Sequence, residues 1–166
     1  MKGALDIHRE LLSRDVPHEI LRLPRVVLDA DQLAEVLGVD AEQTVKVRLY
    51  MAGGQMIALA VPSGRATQPE ALLRAAGSRT VRPATAQEVN ESTEYAAGLV
   101  APLLLPKDMP LFVDARIGRH EVVYTATGDT GTALGIATAD LLVASAARIA
   151  DLTTVSLIDI VHDLEV

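Results

Sequence analysis

The sequence predicts a mixed α/β domain, and three observations predict it. Segments with helical apolar spacing alternate with short runs of period-two alternation. Some neighbouring strands are joined by a turn and others by a helix, which requires a mixed rather than a uniformly parallel sheet. The chain of 166 residues, 49% hydrophobic and 22% charged, has the length and balance of one domain with a substantial core.

Residues 3–14 place Leu5, His8, Leu11 and Leu12 at helical spacing, and Pro17 ends that first helix. His18 to Leu23 reads as a short strand closed by Pro24. Asp29 is the N-cap of a second helix carrying Leu33, Val36 and Leu37, with Gly38 as its C-terminal stop. Thr44 to Tyr50 alternates cleanly, with Val45, Val47 and Leu49 on one face. Gly53-Gly54 turns the chain into a partner strand from Met56 to Val61. Pro69 opens a helix that continues through Leu72, Leu73 and Ala76 to Gly77. Arg79 to Pro83 is a short strand, and Thr85 with Glu88 three residues on is a capping box for a further helix. Tyr95 to Pro106 is apolar, rich in Gly and Pro, and without clear period. Leu111 to Val113, Glu121 to Ala126 and Thr132 to Ala137 read as strands, and Asp140 to Ala150 as a closing helix. There is no internal repeat and no linker. The single domain therefore spans residues 1–166, with an N-terminal helix and strand and an apolar tail, Asp151 to Val166, that docks on the body or on a second copy.

Composition excludes several functions. The aromatics are Tyr50, Tyr95, Phe112 and Tyr124 alone, too few for a stacking platform along a single strand. Without cysteine there is no thiol nucleophile, disulfide or thiolate zinc site. A net charge of −7 argues against non-specific duplex binding, although a local basic patch could still hold one nucleic-acid end. An early charge and the lack of an apolar run at the N-terminus argue against a signal peptide, and Met51 to Gly64 is too short and too broken to span a bilayer. The expectation is a cytoplasmic protein that does not enter membranes.

Candidate chemistry is sparse. His8, His18, His120 and His162 are scattered and imply no metal. No G-x-S-x-G elbow surrounds Ser63, and no P-loop occurs. Asp129-Thr130-Gly131 matches the tripeptide of aspartic proteases, which a homodimer would pair so that two aspartates share a proton. A glycine-rich turn between strands accounts for the same letters, and the predicted helices argue against an all-β protease. Lys46 faces away from the Val45, Val47, Leu49 stripe, with Arg48 and Tyr50 on its side. That is either a solvated strand face or a rigid mount for a cation that holds a phosphate or polarises a carbonyl. In Tyr95-Ala96-Ala97-Gly98-Leu99-Val100-Ala101-Pro102, Gly98 permits close approach to the backbone, whose N–H groups could stabilise an oxyanion; a buried structural crossing is the alternative.

Taken in order, these pieces resemble the YbaK/prolyl-tRNA-synthetase-associated domain family of aminoacyl-tRNA deacylases, over about residues 30 to 152. The resemblance rests on Leu33-Ala34-Glu35-Val36-Leu37-Gly38-Val39, on Gln43-Thr44-Val45-Lys46, and on Tyr95 with the Gly98 to Pro102 run. It continues in Pro110-Leu111-Phe112-Val113-Asp114 and in Gly128-Asp129-Thr130-Gly131 followed by Asp140-Leu141-Leu142. It implies a curved, partly barrel-like sheet with surrounding helices. It implies too a trans-editing hydrolase that removes a wrong amino acid from the 3′ end of a tRNA, with no cofactor and with water activated by the substrate. Lys46 would anchor the terminal nucleotide or orient the ester, and Gly98 with Leu99, Val100, Ala101 and Pro102 would position the carbonyl and stabilise developing charge. Tyr95, Asp114, Thr127, Gly128 and Gly131 would complete the substrate site. The implied partners are the aminoacyl-tRNA 3′ end and an aminoacyl-tRNA synthetase, with a homodimer as a further expectation.

The sequence departs from the family pattern at several points. Thr93-Glu94-Tyr95 replaces Thr-Gly-Tyr, Ala101 replaces a serine and Leu104 a glycine. Ala126-Thr127-Gly128 replaces Ser-x-Gly, leaving Thr125 or Thr127 to supply a hydroxyl, and Ala133 stands where an acidic residue is common. A more apolar pocket and an altered amino-acid specificity follow. Two other readings stand beside the deacylase: a non-catalytic relative that binds tRNA, a nucleotide or a synthetase through the same cleft, and the dimeric aspartic protease.

Overall fold

A computed structural model describes residues 1–153. The elements run α1 (Ala4–Ser13), β1 (His18–Arg22), α2 (Leu33–Leu37), β2 (Thr44–Ala52), β3 (Gln55–Pro62), α3 (Pro69–Ala76), β4 (Val81–Pro83), α4 (Ala86–Thr93), β5 (Leu111–Asp114), β6 (Val122–Ala126), β7 (Thr132–Ala137), α5 (Thr138–Ser145) and β8 (Arg148–Ala150). Single 3₁₀ turns cover Ala30–Gln32, Ala41–Gln43 and Ala115–Arg119.

Eight strands form one mixed sheet in the order β1-β7-β6-β2-β3-β5-β8, with β4 beside β2, and the path does not close into a barrel. The β2–β3 hairpin is its centre, pairing Val45 with Pro62 through Ala52 with Gln55. Gly53 and Gly54, at φ +57° and +87°, make the turn that this register needs. Parallel contacts β2–β6, β3–β5 and β5–β8 mix with antiparallel ones, as strands joined both by hairpins and by crossovers require.

The period-two pattern of β2 divides the burial. Val45, Val47 and Leu49 enter the main core with Ala58, Ala60, Leu111, Val113, Val123, Leu134 and Ile136, beneath Ile7 and Leu11 of α1. The opposite face buries Ile57, Leu59 and Val61 against α3 and Leu152. A smaller cluster joins Val27, Ala30, Leu33, Leu99, Ala126 and Ala133. The core is aliphatic, as the composition demands.

Two elements differ from the sequence reading. The face of α1 that packs is Ala4, Ile7 and Leu11, while Leu5 and Leu12 are 58% and 60% exposed. Leu5 and Leu12 are also seven residues apart, so apolar spacing alone supports either face. The closing helix ends at Ser145 instead of Ala150: Ala146 turns left-handed, and Arg148–Ala150 pairs in parallel with Phe112–Asp114. Alanine-rich sequence favours helix locally, but the free edge of β5 captures the segment. Of the apolar tail, Leu152 and Thr153 are buried, and the rest of that expectation lies outside the described residues. Among the described residues no helix is long and apolar enough to cross a membrane.

Candidate active site

A gap in the sheet makes the candidate site. On one side β2 is paired with β3 along its whole length; on the other, β6 pairs only as far as Val45 and β4 begins only at Tyr50. Between β6 and β4, Lys46, Val47 and Arg48 have no strand on that side among the described residues. An open cleft of about 390 Å³ occupies this place. It is lined by Asp29, Lys46, Arg48 and Tyr50, by Pro83 and Ala84 ahead of α4, by Ala86 and Val89 of α4, and by Ala97, Gly98 and Val100.

Lys46 Nζ donates to Asp29 Oδ1 at 2.9 Å and to Asp31 Oδ2 at 2.7 Å. Its side chain is 19% exposed, against 40% and 48% for the two carboxylates, so the cation is the more deeply placed partner. Partial burial opposes charge on both Lys46 and Asp29, yet the hydrogen bonds outweigh it. Asp29 lies below the usual carboxylate range, where the Asp31 backbone N–H and Lys46 both donate to it, and Lys46 lies above the usual ammonium range. Sequence reading gave Asp29 only a capping role. It performs that role too, accepting from the Asp31 N–H at 2.9 Å, and Gln32 Oε1 in turn accepts from Leu28 N. The Asp-x-Asp spacing at a helix start was the available signal, but nothing in it says which strand the carboxylates will meet.

Gly98 brings the loop against this pair. Its carbonyl accepts from Ala30 N at 2.9 Å, and its φ is +87°. A Cβ there would stand 2.9 Å from the Leu28 carbonyl oxygen and 3.1 Å from Asp29 Oδ2, so only glycine fits. Asn90 of α4 holds the loop from the other side, accepting from Ala97 N at 2.9 Å. The predicted capping box fixes α4 in turn: Glu88 N donates to Thr85 Oγ1 and Thr85 N to Glu88 Oε1. Among the described residues no acceptor meets the backbone N–H of Gly98 or of Val100.

The other residues singled out from sequence divide. Leu99 points away from the cleft into the cluster with Leu33, Ala126 and Ala133, and Ala126 and Ala133 are direct partners across β6 and β7. Those two small residues therefore receive Leu99 instead of opening the cleft. Ala101 is buried in the main core, and Pro102 lines a separate groove with Arg14, Lys107 and Arg148. Leu104, where the family pattern has glycine, keeps a left-handed φ of +56°.

Tyr95 is fully buried, and its hydroxyl donates to the Leu103 carbonyl at 2.7 Å. Burial pushes that hydroxyl above the usual phenol range, so it serves as a neutral brace for the loop. Asp114 is buried at the β5–β8 junction, accepting from Arg116 N and from Thr153 Oγ1. Thr127 shares a hydrogen bond with Thr132 at 2.8 Å. Gly128, at φ +95°, lies against the Lys2 carbonyl, and the Gly131 carbonyl accepts from Leu23 N. None of Tyr95, Asp114, Thr127, Gly128 or Gly131 lines the Lys46 cleft.

The protease reading fails on position. Asp129 accepts from Ala4 N at 2.8 Å and so caps α1, within a mixed α/β sheet. The histidines are less scattered than sequence implied, because His8 Nδ1 and His18 Nε2 lie 2.8 Å apart and share a hydrogen bond. Among the described residues no group of three metal-ligating side chains forms.

Known proteins resemble this chain in sequence and in fold. The profile described as the aminoacyl-tRNA editing domain matches residues 25–144. The uncharacterized protein YwhH of Bacillus subtilis (strain 168) is 26% identical over 111 residues, 67% of this chain and 71% of its own. Among solved structures, hypothetical protein APE2540 superposes with a TM-score of 0.81 at 26% identity, covering 89% of this chain and 99% of that one. A candidate trans-editing enzyme for prolyl-tRNA synthetase gives 0.80 at 23% identity, covering 92% and 97%.

Proposed function

We propose that this chain, which belongs to the aminoacyl-tRNA editing domain family, is a trans-editing deacylase that hydrolyses the ester of a mischarged tRNA. The observation that carries the reading is the meeting of Lys46 and Gly98, residues far apart in sequence, on one cleft at the open edge of β2.

The chemistry follows from what lines the cleft. A tRNA 3′ end enters with its aminoacyl ester toward Gly98 and Val100, whose N–H groups are available to a developing oxyanion. Lys46, held in place by Asp29 and Asp31, supplies a fixed positive charge beside the ester. Water adds to the carbonyl carbon. The tetrahedral intermediate then collapses, breaking the bond to the ribose oxygen, which leaves with a proton as the free tRNA hydroxyl. Asp29 is a weak base because its ion pair keeps it ionised at low proton affinity. The resemblance to the family implies that the substrate itself helps to activate the water. A wall of Pro83, Ala84, Ala86, Val89 and Ala97 suits small apolar groups, and a synthetase of the same amino-acid system is the natural partner in trans.

The test is deacylation of a panel of labelled aminoacyl-tRNAs, including alanyl and cysteinyl esters on proline tRNA, by wild type and Lys46→Ala. Turnover by wild type that falls at least a hundredfold in the variant is the expected result. An inert wild type across the panel would leave a binding module in place of an enzyme.

A further inference from the structure

We infer that Arg48 is the residue that binds the 5′-phosphate of the terminal nucleotide, an inference that rests on the cleft accepting an aminoacyl-tRNA end. The two cations of the cleft are not equivalent. Lys46 is already matched by two carboxylates at 2.9 and 2.7 Å, so an incoming phosphate would have to compete with both. Arg48 stands two residues further along β2, on the same face and in the same cleft. Its Nη1 donates to Thr67 Oγ1 at 3.0 Å, a neutral partner, and among the described residues no carboxylate pairs with it.

A half-buried guanidinium with a neutral partner retains its full charge and several unused N–H donors in a forked plane. That plane fits two phosphate oxygens, and an arginine makes such bidentate bonds where a lysine makes single ones. The requirement for a local cation is strong here because the chain as a whole carries −7. The main chain of Thr67 is itself paired with that of Thr153, which positions the residue that orients Arg48. Division of labour follows: Lys46 is reserved for the ester, and Arg48 sets where along the chain the terminal nucleotide stops.

The experiment is an NMR titration of the full chain with 5′-AMP and with adenosine, for wild type, Arg48→Gln and Arg48→Lys. Wild type should bind 5′-AMP at least tenfold more tightly than adenosine, the size expected for a charge-assisted hydrogen bond to phosphate. Arg48→Gln should lose that advantage while its spectrum stays dispersed, and Arg48→Lys should recover part of it. Equal affinity for the two ligands in wild type, or an advantage that survives in Arg48→Gln, overturns the assignment. If Arg48→Gln loses its dispersed spectrum, Arg48→Lys decides: an advantage at or above the wild-type value overturns the bidentate role, and a reduced one supports it. The titration needs no turnover, so an enzyme inactive on every ester would refute the deacylase reading and still leave this result standing. In an active enzyme, loss of one phosphate contact should also lower the slope of log(kcat/KM) against log salt by about 0.7.

Discussion

Replacing Gly98 by alanine tests the site and the fold together. Two costs arise at that position. The backbone sits at φ +87°, where a Cβ is disfavoured by about 1 kcal/mol. The new methyl would also lie 2.9 Å from the Leu28 carbonyl oxygen, a backbone atom that cannot rotate aside, and 3.1 Å from Asp29 Oδ2. Overpacking of this kind costs about 1–3 kcal/mol. The sum is about 2–4 kcal/mol, which in a chain of this size lowers Tm by about 5–15 °C. The relief available is for residues 28–30 to move away, and that movement withdraws Asp29 from Lys46, so deacylation should fall with stability. Gly131→Ala is the control: its Cβ direction is open, and stability should change by less than about 0.5 kcal/mol. Gly128→Ala should destabilise comparably to Gly98→Ala through the Lys2 carbonyl, but leave the Lys46–Asp29 pair in place. Scanning calorimetry and initial deacylation rates read both effects. A Gly98→Ala variant that melts with wild type, or that keeps its full rate, would refute the argument.

Two further outcomes follow from the same geometry. Asn90→Ala removes the acceptor of Ala97 N and should cost about 1–2 kcal/mol in urea unfolding, with a lower kcat because the loop before Gly98 loses its anchor. Lys46→Met should cost about 1 kcal/mol at pH 7, a modest value because both carboxylates are well exposed and screened. Its pH dependence has a definite sign. Asp29 is held below its ordinary value, so the pair's contribution is complete above that ordinary value and disappears as pH falls through the lower folded one. Lys46 is held above its ordinary value, so its share is complete below that value and disappears only as pH rises through the higher folded one. Urea midpoints of wild type and Lys46→Met should therefore differ by a constant amount across neutral pH and converge in acid; a gap that widens in acid would contradict the pairing.

What sequence made legible was set by the range of the interactions involved. The Thr85–Glu88 box, the Gly38 and Gly77 stops and the Gly53-Gly54 turn depend on neighbours within four residues, and each formed where its letters placed it. The end of α5 was misplaced because its competitor, the edge of β5, lies more than thirty residues back in the chain. The glycines divide on the same ground. Gly98 and Gly128 look alike as letters and share a left-handed φ, yet one faces Asp29 and the other the Lys2 carbonyl. Which backbone a glycine must admit is a tertiary fact.

The candidate site shows how these ranges combine. Asp29 is legible as a helix cap because capping is local, and that local role is what fixes its carboxylate at the mouth of the cleft. Its second role needs β2 to lack a strand on one side of Lys46, and that gap exists because β6 stops pairing at Val45 before β4 begins at Tyr50. One missing stretch of pairing thus does two things: it opens the cleft, and it lets Asp29 and Asp31 reach Lys46, while Arg48 faces a neutral threonine. The chemistry of the cleft is therefore a property of sheet register, which explains why alternation along β2 could place Lys46 and Arg48 on one side but could not tell the paired cation from the one still able to bind an anion.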